Sequence, residues 1–281
     1  MTTYDKHFWQ SITDRSYAVP DDPSPSALLP VLIDLLASTD SQLRDEYGFT
    51  TLMHWVIREP QYTPAELRQM RDRLLEGMRV GIGEMATDTV FQRSFSALAL
   101  GLVVYQDNET HFLTAEEVKA LLEVTLDYLK DERDLRGYVE GRGWAHSLAH
   151  GADLLRHLSR SPHLDGGDLL RILTAISDKM LEPTRTVYIH DEDERLALAV
   201  GEILKRDLLN ETVLKGWLNE FHEWHTQHIG GEFDVVVHAT YQNIRHLLSS
   251  LYFRVLRLDH TPPTTEALKD DLLSAVRRFS L

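Results

Sequence analysis

Residues 28–44 read LLPVLIDLLASTDSQLR and contain the pattern that decides the fold. Between residues 28 and 36, apolar side chains recur three and four positions apart, which is the spacing of one face of a helix. Residues 38–40 then break the pattern, and a second segment opens with charged side chains. The stretch therefore predicts two antiparallel helices joined by a short turn, which is a helical hairpin.

Helical periodicity continues along most of the chain. Further segments with the same spacing are 74–80, 91–104, 118–129, 144–158, 169–181, 196–209, 213–224 and 247–258. The β-branched runs at 186–189 and 235–237 are too short to found a sheet. Together with their start and stop signals, these segments predict about twelve helices of roughly 10 to 20 residues. We therefore predict an all-α fold.

The predicted helices come in pairs. First helices are expected near residues 27, 64, 115, 167 and 210, and second helices near residues 41, 87, 142, 191 and 232. This repeat of about 40 to 50 residues lies in the range of solenoids built from helical hairpins. We expect antiparallel hairpins stacked in a HEAT-like, right-handed solenoid, with a compact irregular helical bundle as the alternative. No linker separates halves of different composition, so residues 1–281 are expected to form a single helical-repeat domain.

The composition excludes several classes of protein. The chain has 44 Asp and Glu against 29 Lys and Arg, a formal net charge of -15, and nucleic acids are bound chiefly by basic side chains. No apolar run approaches the roughly 20 residues that cross a bilayer, and the first residues lack the pattern of a signal peptide. Cysteine is absent, which excludes disulfides and thiolate sites. We expect an acidic cytoplasmic protein with no nucleic-acid or membrane partner.

Polar residues cluster at the starts of the predicted second helices. In helical-hairpin solenoids the second helix of each pair lines the concave side, so these clusters are expected to converge in one groove. The alternative is that helix N-termini attract polar residues through capping and the helix dipole. That alternative explains arginines poorly, because a cation is unfavourable near a helix N-terminus. The candidate groove residues are Arg93, Glu140, Arg142, Trp144, His146, His150, Asp153, Asp191, Asp193 and Arg195.

The most informative segment is 134–155, which reads DLRGYVEGRGWAHSLAHGADLL. On a helical wheel, one polar stripe within about 60° is formed by His146, His150, Asp153 and His157. Trp144 falls on the opposite, apolar side with the leucines. The pattern therefore predicts histidines outside the apolar core, either on a solvated face or on the wall of a functional groove.

The spacing of His146 and His150 allows one divalent metal ion to be held from a single helix. Ser147 stands where the zinc-protease motif has its general-base glutamate, so that motif is absent. Asp153 is better placed to orient the His150 ring than to bind the same ion. Further ligands would have to come from Glu140, Asp191, Asp193 or Glu194. Without a metal, the same residues suit a small polar or anionic ligand, or general acid–base chemistry.

The sequence DLRGYVEGRGWAHSLAHGAD at 134–153, with FQRSFS at 91–96 and DEDER at 191–195, resembles a bacterial family known as domain of unknown function 2785. The resemblance covers most of the chain and implies a bacterial origin. It implies no activity, cofactor or partner. The expected stack of hairpins is also similar to HEAT-type repeat proteins, a likeness of architecture that assigns no function.

Three functional hypotheses follow from the sequence. The first is a groove that binds a small polar or anionic ligand, or a protein partner, through the candidate residues. The second is a metal-dependent hydrolase with His146 and His150 as ligands and Glu140 or Asp193 as base. The third is a scaffold for protein interactions whose acidic exterior confers solubility.

Overall fold

The computed structural model describes residues 4–258 and 262–280, and helices dominate both ranges. The α-helices are α1 (Lys6–Thr13), α2 (Pro25–Leu35), α3 (Thr51–Met53), α4 (Pro64–Met78), α5 (Thr89–Thr110), α6 (Ala115–Asp131), α7 (Ser147–Ser159), α8 (Gly166–Leu181), α9 (Glu192–Lys205), α10 (Glu211–His228), α11 (Val235–Leu256) and α12 (Pro263–Arg278). Two segments that flank α3, Gln42–Thr50 and His54–Arg58, have the wider turn of a π-helix. Within the described ranges, the strands are β1 (Tyr138–Val139) and β2 (Gly143–Trp144). The predicted all-α fold is confirmed.

The first helix of every predicted hairpin begins close to its expected residue, because local capping fixes these starts. The observed starts are Pro25, Pro64, Ala115, Gly166 and Glu211. The Thr63 hydroxyl accepts a hydrogen bond from the backbone N–H of Glu66, and the Glu66 carboxylate accepts one from the backbone N–H of Thr63. This capping box satisfies two backbone donors that the first turn of a helix leaves without partners. Asp165 and Asp168 form a second capping box before α8.

The second helices follow the prediction less closely. The observed starts are Gln42, Thr89, Ser147, Glu192 and Val235. Gln42–Thr50, which we call the π-helical segment, contains Gly48, where an added Cβ would lie only 3.1 Å from Leu35 Cβ. The backbone of this segment therefore approaches α2 closely. Regular π-helix of this length is rare, and no periodicity of apolar residues distinguishes it from α-helix.

Tertiary contacts divide the chain into two compact units. Unit 1 comprises the chain up to Thr114 together with Asp131–Leu154, and unit 2 comprises Ala115–Lys130 together with the chain from Leu155 onward. In unit 1, α4 packs along α5, and α2 packs on the π-helical segment, as the predicted hairpins require. In unit 2, α9 packs along α11, and α12 packs on both α10 and α11. The organisation of residues 1–281 as one domain stays a prediction.

Each unit has its own apolar core. In unit 1, fully buried side chains include Leu32 on α2 and Leu74 on α4. In unit 2 they include Val200 on α9 and Leu247 on α11. Burying one such side chain contributes about 1.5–3 kcal/mol, so these contacts stabilise both helices that share them. None of the described helices has the length and apolar composition needed to cross a membrane.

Replacing Leu247 by alanine tests the packing of unit 2. Leu247 is fully buried, and Leu256, on the same helix, is half exposed. We expect Leu247→Ala to lower the free energy of unfolding by about 2–5 kcal/mol, because it removes a buried side chain and leaves a cavity. Leu256→Ala is the matched control, and we expect it to cost less than about 1 kcal/mol. Urea denaturation of the full chain measures both, and equal losses would contradict the assigned burial.

Candidate functional site

A β-hairpin carries the most exposed of the predicted site residues. Tyr138 pairs with Trp144 and Val139 pairs with Gly143, in antiparallel register. The backbone N–H of Arg142 donates to the carbonyl of Val139 at 3.0 Å and closes the turn. The helix predicted to include residue 144 therefore begins only at Ser147, and that part of the prediction is wrong.

Backbone conformation is the reason that the helix starts late. Gly141, Gly143 and His146 have φ angles of 70°, 78° and 49°, in the left-handed region. A right-handed helix cannot contain such residues, so none of the three belongs to α7. Glycine adopts this region without strain. His146 is the residue directly before the first residue of α7. The His146 carbonyl accepts the first helical hydrogen bond, from the His150 N–H at 2.8 Å.

The hairpin is packed tightly against the rest of unit 1. An added Cβ at Gly143 would lie 2.8 Å from Ser41 Cβ and 3.1 Å from Arg44 Nη2, so only glycine fits there. Just beyond the hairpin, Ala145 is fully buried against Val90 and Phe91 of α5. These contacts fix the position of the hairpin on α5 and the π-helical segment.

Arg44 lies beneath the hairpin and has no solvent exposure. Its guanidinium lies over the ring of Phe91 at 4.3 Å and over the ring of Phe95 at 4.8 Å. Nη1 donates to the carbonyl of Ser38, and Nη2 donates to the carbonyl of Arg142, both at 2.8 Å. Nη2 also pairs with Asp45 at 3.2 Å, and burial raises the pKa of Asp45 to about 6. Arg44 thus joins the turn after α2, helix α5 and the hairpin.

Two aromatic side chains of the hairpin face solvent. Trp144 is 40% exposed and Tyr138 is 53% exposed. The Trp144 indole stacks on the His146 imidazole, with 4.1 Å between ring centroids and 24° between planes. The Tyr138 ring meets Trp144 edge-on at 5.1 Å. The result is an exposed aromatic surface supported from below by a buried ring, and we call Tyr138, Trp144 and His146 the aromatic platform.

His146 and His150 are buried, so the prediction that these two histidines lie outside the core is wrong. His146 is 6% exposed and His150 is 4% exposed. Their rings meet edge-on at 5.6 Å, and His150 also meets the ring of Phe95 at 4.8 Å. His146 precedes α7, so the helical wheel does not describe its direction. For His150, the wheel gives the direction of the side chain but not whether another helix covers it. Asp153 is half-buried on α7, and its role in orienting His150 stays a prediction.

Arg93 lies in a buried ion pair. Its Nε and Nη2 atoms bind the two carboxylate oxygens of Glu132 at 2.5 and 3.0 Å, and neither side chain is appreciably exposed. Nη1 donates to Thr89 Oγ1 at 2.9 Å, and Nη2 also donates to the Glu84 carbonyl at 3.1 Å. With its donors engaged in this way, Arg93 serves to hold the chain at Glu132 against α5.

The segment that follows Glu132 is fixed by another buried acid. Asp134 accepts hydrogen bonds from Arg136 Nε at 2.8 Å, from Arg136 Nη2 at 2.6 Å and from the Ala86 N–H at 3.0 Å. The Ser147 hydroxyl donates to the Asp134 carbonyl. The chain is therefore held on both sides of the hairpin, at Asp134 and at Ser147.

Two charged side chains flank the aromatic platform. Glu140 lies at the tip of the turn and is exposed. Arg142 is half exposed and pairs with Asp88. Exposed ion pairs of this kind contribute only about 0–1 kcal/mol, so Arg142 can exchange Asp88 for another anion at little cost.

The other predicted site residues belong to unit 2. Asp191 precedes α9 with a φ angle of 66° and is exposed. Asp193 accepts a hydrogen bond from the Ser250 hydroxyl at 2.5 Å, and Arg195 is half-buried on α9. The predicted site residues thus divide between the two units, and their convergence in one groove stays a prediction.

In the part of the chain that the structure describes, no third metal ligand joins His146 and His150. No three His, Asp or Glu side chains lie close enough there to hold one ion. His146 and His150 as metal ligands therefore stay a prediction from their spacing alone.

Sequence reasoning missed Tyr138 and the burial of Arg44. The signal for Tyr138 was present, because Y-V-E-G-R-G-W places two aromatic residues around a glycine-containing turn, which is a hairpin pattern. Two-residue strands have no periodicity that reveals them. The buried position of Arg44 depends on residues about 50 and 100 positions further along the chain, so no local pattern could show it.

The fold and this site define an all-α protein with an aromatic hairpin in one of its two units. Residues 78–253 match the model of a family described as Protein of unknown function (DUF2785). Because the match covers more than half of the chain, the protein belongs to that family, as the resemblance of its sequence motifs implied. Searches of curated proteins and of solved structures found no match.

The close packing of Gly143 can be tested against a second glycine of the same hairpin. Gly141 has a similar φ angle, but an added Cβ there would meet nothing within 4 Å. We expect Gly141→Ala to cost about 1–2 kcal/mol through its backbone alone. We expect Gly143→Ala to cost about 1–3 kcal/mol more, because its Cβ also overlaps Ser41. Urea denaturation compares the two variants, and equal losses would show that the hairpin does not pack on residue 41.

Burial and the neighbouring charges of Arg156 and Arg160 lower the pKa of His157 from the usual 6.5 to about 4. Between pH 6.5 and 4 the unfolded chain binds a proton that the folded chain does not. The buried neutral ring therefore costs no stability above pH 6.5, and the folded chain loses about 3 kcal/mol relative to the unfolded chain as the pH falls to 4. We expect His157→Gln to lose less stability between pH 7 and pH 4.5 than the native chain. His222→Gln, on an exposed position of α10, is the control, and an equal change in both variants would contradict the assignment.

Proposed function

We propose that this protein binds a small polar or anionic ligand on the aromatic platform of unit 1. The observation that carries the proposal is the exposed indole of Trp144, stacked at 4.1 Å on the buried ring of His146. Tryptophan and tyrosine provide a large contact area with little loss of side-chain entropy, and they are enriched where proteins bind partners. An indole that is 40% exposed presents aromatic surface on which a sugar, a nucleobase or another flat group can pack.

Rigidity supports this proposal. Arg44 donates to the backbone of Arg142, and Ser147 donates to the backbone of Asp134, so the hairpin is fixed on both flanks. Ala145, which follows the hairpin in the chain, is fully buried against Val90 and Phe91 of α5. A surface that is already ordered loses little conformational entropy on binding, which raises affinity.

Charge at the rim supports a ligand that has polar or anionic groups. Arg142 offers a guanidinium whose present partner, Asp88, is itself exposed. Glu140 offers a carboxylate that can accept hydrogen bonds from hydroxyl or amino groups. The ligand proposed here therefore combines one flat face with at least one polar or anionic substituent.

The proposal also includes the features that the sequence predicted beyond this site. These are a HEAT-like stacking of the helical hairpins, a bacterial origin, a cytoplasmic location and a wider groove that adds His150, Asp153, Asp191, Asp193 and Arg195. The pairing of α9 with α11 supports stacking of successive second helices within unit 2. A protein partner is the alternative occupant of the platform, since exposed Trp and Tyr serve protein interfaces equally well.

Binding to Trp144 is tested with glucose, adenosine and citrate as probes of the three ligand chemistries. Intrinsic fluorescence and calorimetry of the full chain measure affinity. We expect at least one probe to bind saturably and Trp144→Ala to weaken its binding by about tenfold or more, because the stacking surface is lost. Phe233→Ala, which removes an aromatic side chain that is 80% exposed in unit 2, is the matched control.

The outcomes separate the alternatives. Loss of binding in Trp144→Ala, with binding retained in Phe233→Ala and thermal stability unchanged, supports the platform. Binding that survives Trp144→Ala contradicts it. Failure of all three probes contradicts the small-ligand proposal and favours a protein partner.

A further inference from the structure

Unit 2 contains a cavity of about 680 Å³ that is separate from the aromatic platform. It is lined by the last turns of α11 and by one side of α9. Its apolar lining includes Leu198, Phe253 and Leu258, and the cations among its described lining residues are Lys205, Arg254 and Arg257. The volume lies in the range of about 300–1,000 Å³ that small-molecule sites occupy.

Arg254 is the central cation of this cavity. Its Nε atom is buried, and no described residue accepts a hydrogen bond from it; the same is true of Nε of Arg156. Burial, followed by the positive charge of Arg156, lowers the pKa of Arg254, and Arg257 acts in the same direction. Arg156 and Arg257 thus both lie close enough to Arg254 to repel its charge, in a chain whose formal net charge is -15.

Among the described residues, the nearby acids compensate this charge only in part. Glu202 is the carboxylate that favours the charged form of Arg254, but it also binds Lys205 at 2.8 Å. Asp193 accepts the hydroxyl of Ser250, which lines the cavity. Glu194 lies on the cavity wall and is exposed to solvent. A buried guanidinium whose charge is poorly compensated is unfavourable, and an anion bound beside it would reduce that cost.

The backbone of α9 makes room for Arg254. Gly201 lies inside α9, where glycine is unfavourable relative to alanine. An added Cβ at Gly201 would lie 3.0 Å from Arg254 Nε and 3.3 Å from its Cδ. The Arg254 side chain therefore lies directly on the helix backbone, and the glycine allows this position.

We propose that this cavity binds a small organic phosphate, with the phosphate held by Arg254 and Arg257 and the organic group packed on Leu198 and Phe253. Guanidinium groups match phosphate oxygens in charge and in the geometry of two parallel hydrogen bonds. The apolar lining favours a phosphate ester over inorganic phosphate, because only the ester has an organic group that can be buried there. A polar substituent on the organic group would find Glu194 as an acceptor.

Calorimetry of the full chain with phenyl phosphate and with inorganic phosphate, at constant ionic strength, tests the site. We expect phenyl phosphate to bind saturably and at least tenfold more tightly than inorganic phosphate. Arg254→Gln and Arg257→Gln should each weaken binding of phenyl phosphate tenfold or more. The control is Arg245→Gln, which removes the same charge from an exposed position on α11, nine residues before Arg254 and outside the cavity lining. We expect it to leave binding unchanged.

Thermal unfolding separates binding from folding. Because the charge of Arg254 is poorly compensated, Arg254→Gln should unfold at the same temperature as the native chain or higher. If Arg254→Gln fails to fold, binding of phenyl phosphate by Arg257→Gln still tests the site, because Arg257 is exposed and its replacement removes no buried contact. Absence of saturable binding by phenyl phosphate, or an equal loss in Arg245→Gln, overturns the proposal. Trp144→Ala, in unit 1, should not affect this binding, so the two sites fail or succeed independently.

Discussion

The buried guanidinium of Arg44 is the interaction on which the structure of unit 1 depends. A positive charge without solvent must be compensated locally, and here two phenylalanine rings, two backbone carbonyls and Asp45 share that role. One of those carbonyls belongs to Arg142 in the hairpin, and another ends the turn after α2. Loss of any one partner leaves the charge undercompensated, which costs several kcal/mol in buried pairs. The contacts that compensate the charge of Arg44 therefore also fix the hairpin that carries Trp144.

A second buried ion pair has the same effect on the other side of the hairpin. Arg93 and Glu132 satisfy each other, and Asp134 with Arg136 fixes the chain that leads into β1. Pairs of this kind add little net stability compared with apolar packing, but they specify one arrangement of the chain. Rigid support of this sort is what an exposed stacking surface needs, because a mobile indole would lose its affinity to ordering entropy. The buried polar residues thus fix the hairpin that carries the proposed site.

The two units carry different chemistry. The platform of unit 1 is aromatic, with one exposed cation and one exposed acid at its rim. In the described part of the chain, the cavity of unit 2 is lined by three cations, and the Nε atom of one of them, Arg254, is buried. The strongly negative total charge therefore gives no guide to the local sign at either site, because charge acts over about 8–10 Å in physiological salt. An acidic exterior confers solubility, whereas each site depends on the groups within hydrogen-bonding distance.

The sequence by itself determined the helical class, the starts of the first helices and the membership of the family. These features depend on residues close together in the chain, such as Thr63 with Glu66, and on the three-to-four spacing of apolar side chains. Only the tertiary structure decided that Trp144 lies in a hairpin, that His146 and His150 are buried, and that Arg254 lies beside Arg156. Each of these depends on contact between segments far apart in the chain. A pattern of neighbouring residues gives the direction of a side chain, but it cannot show what covers that side chain.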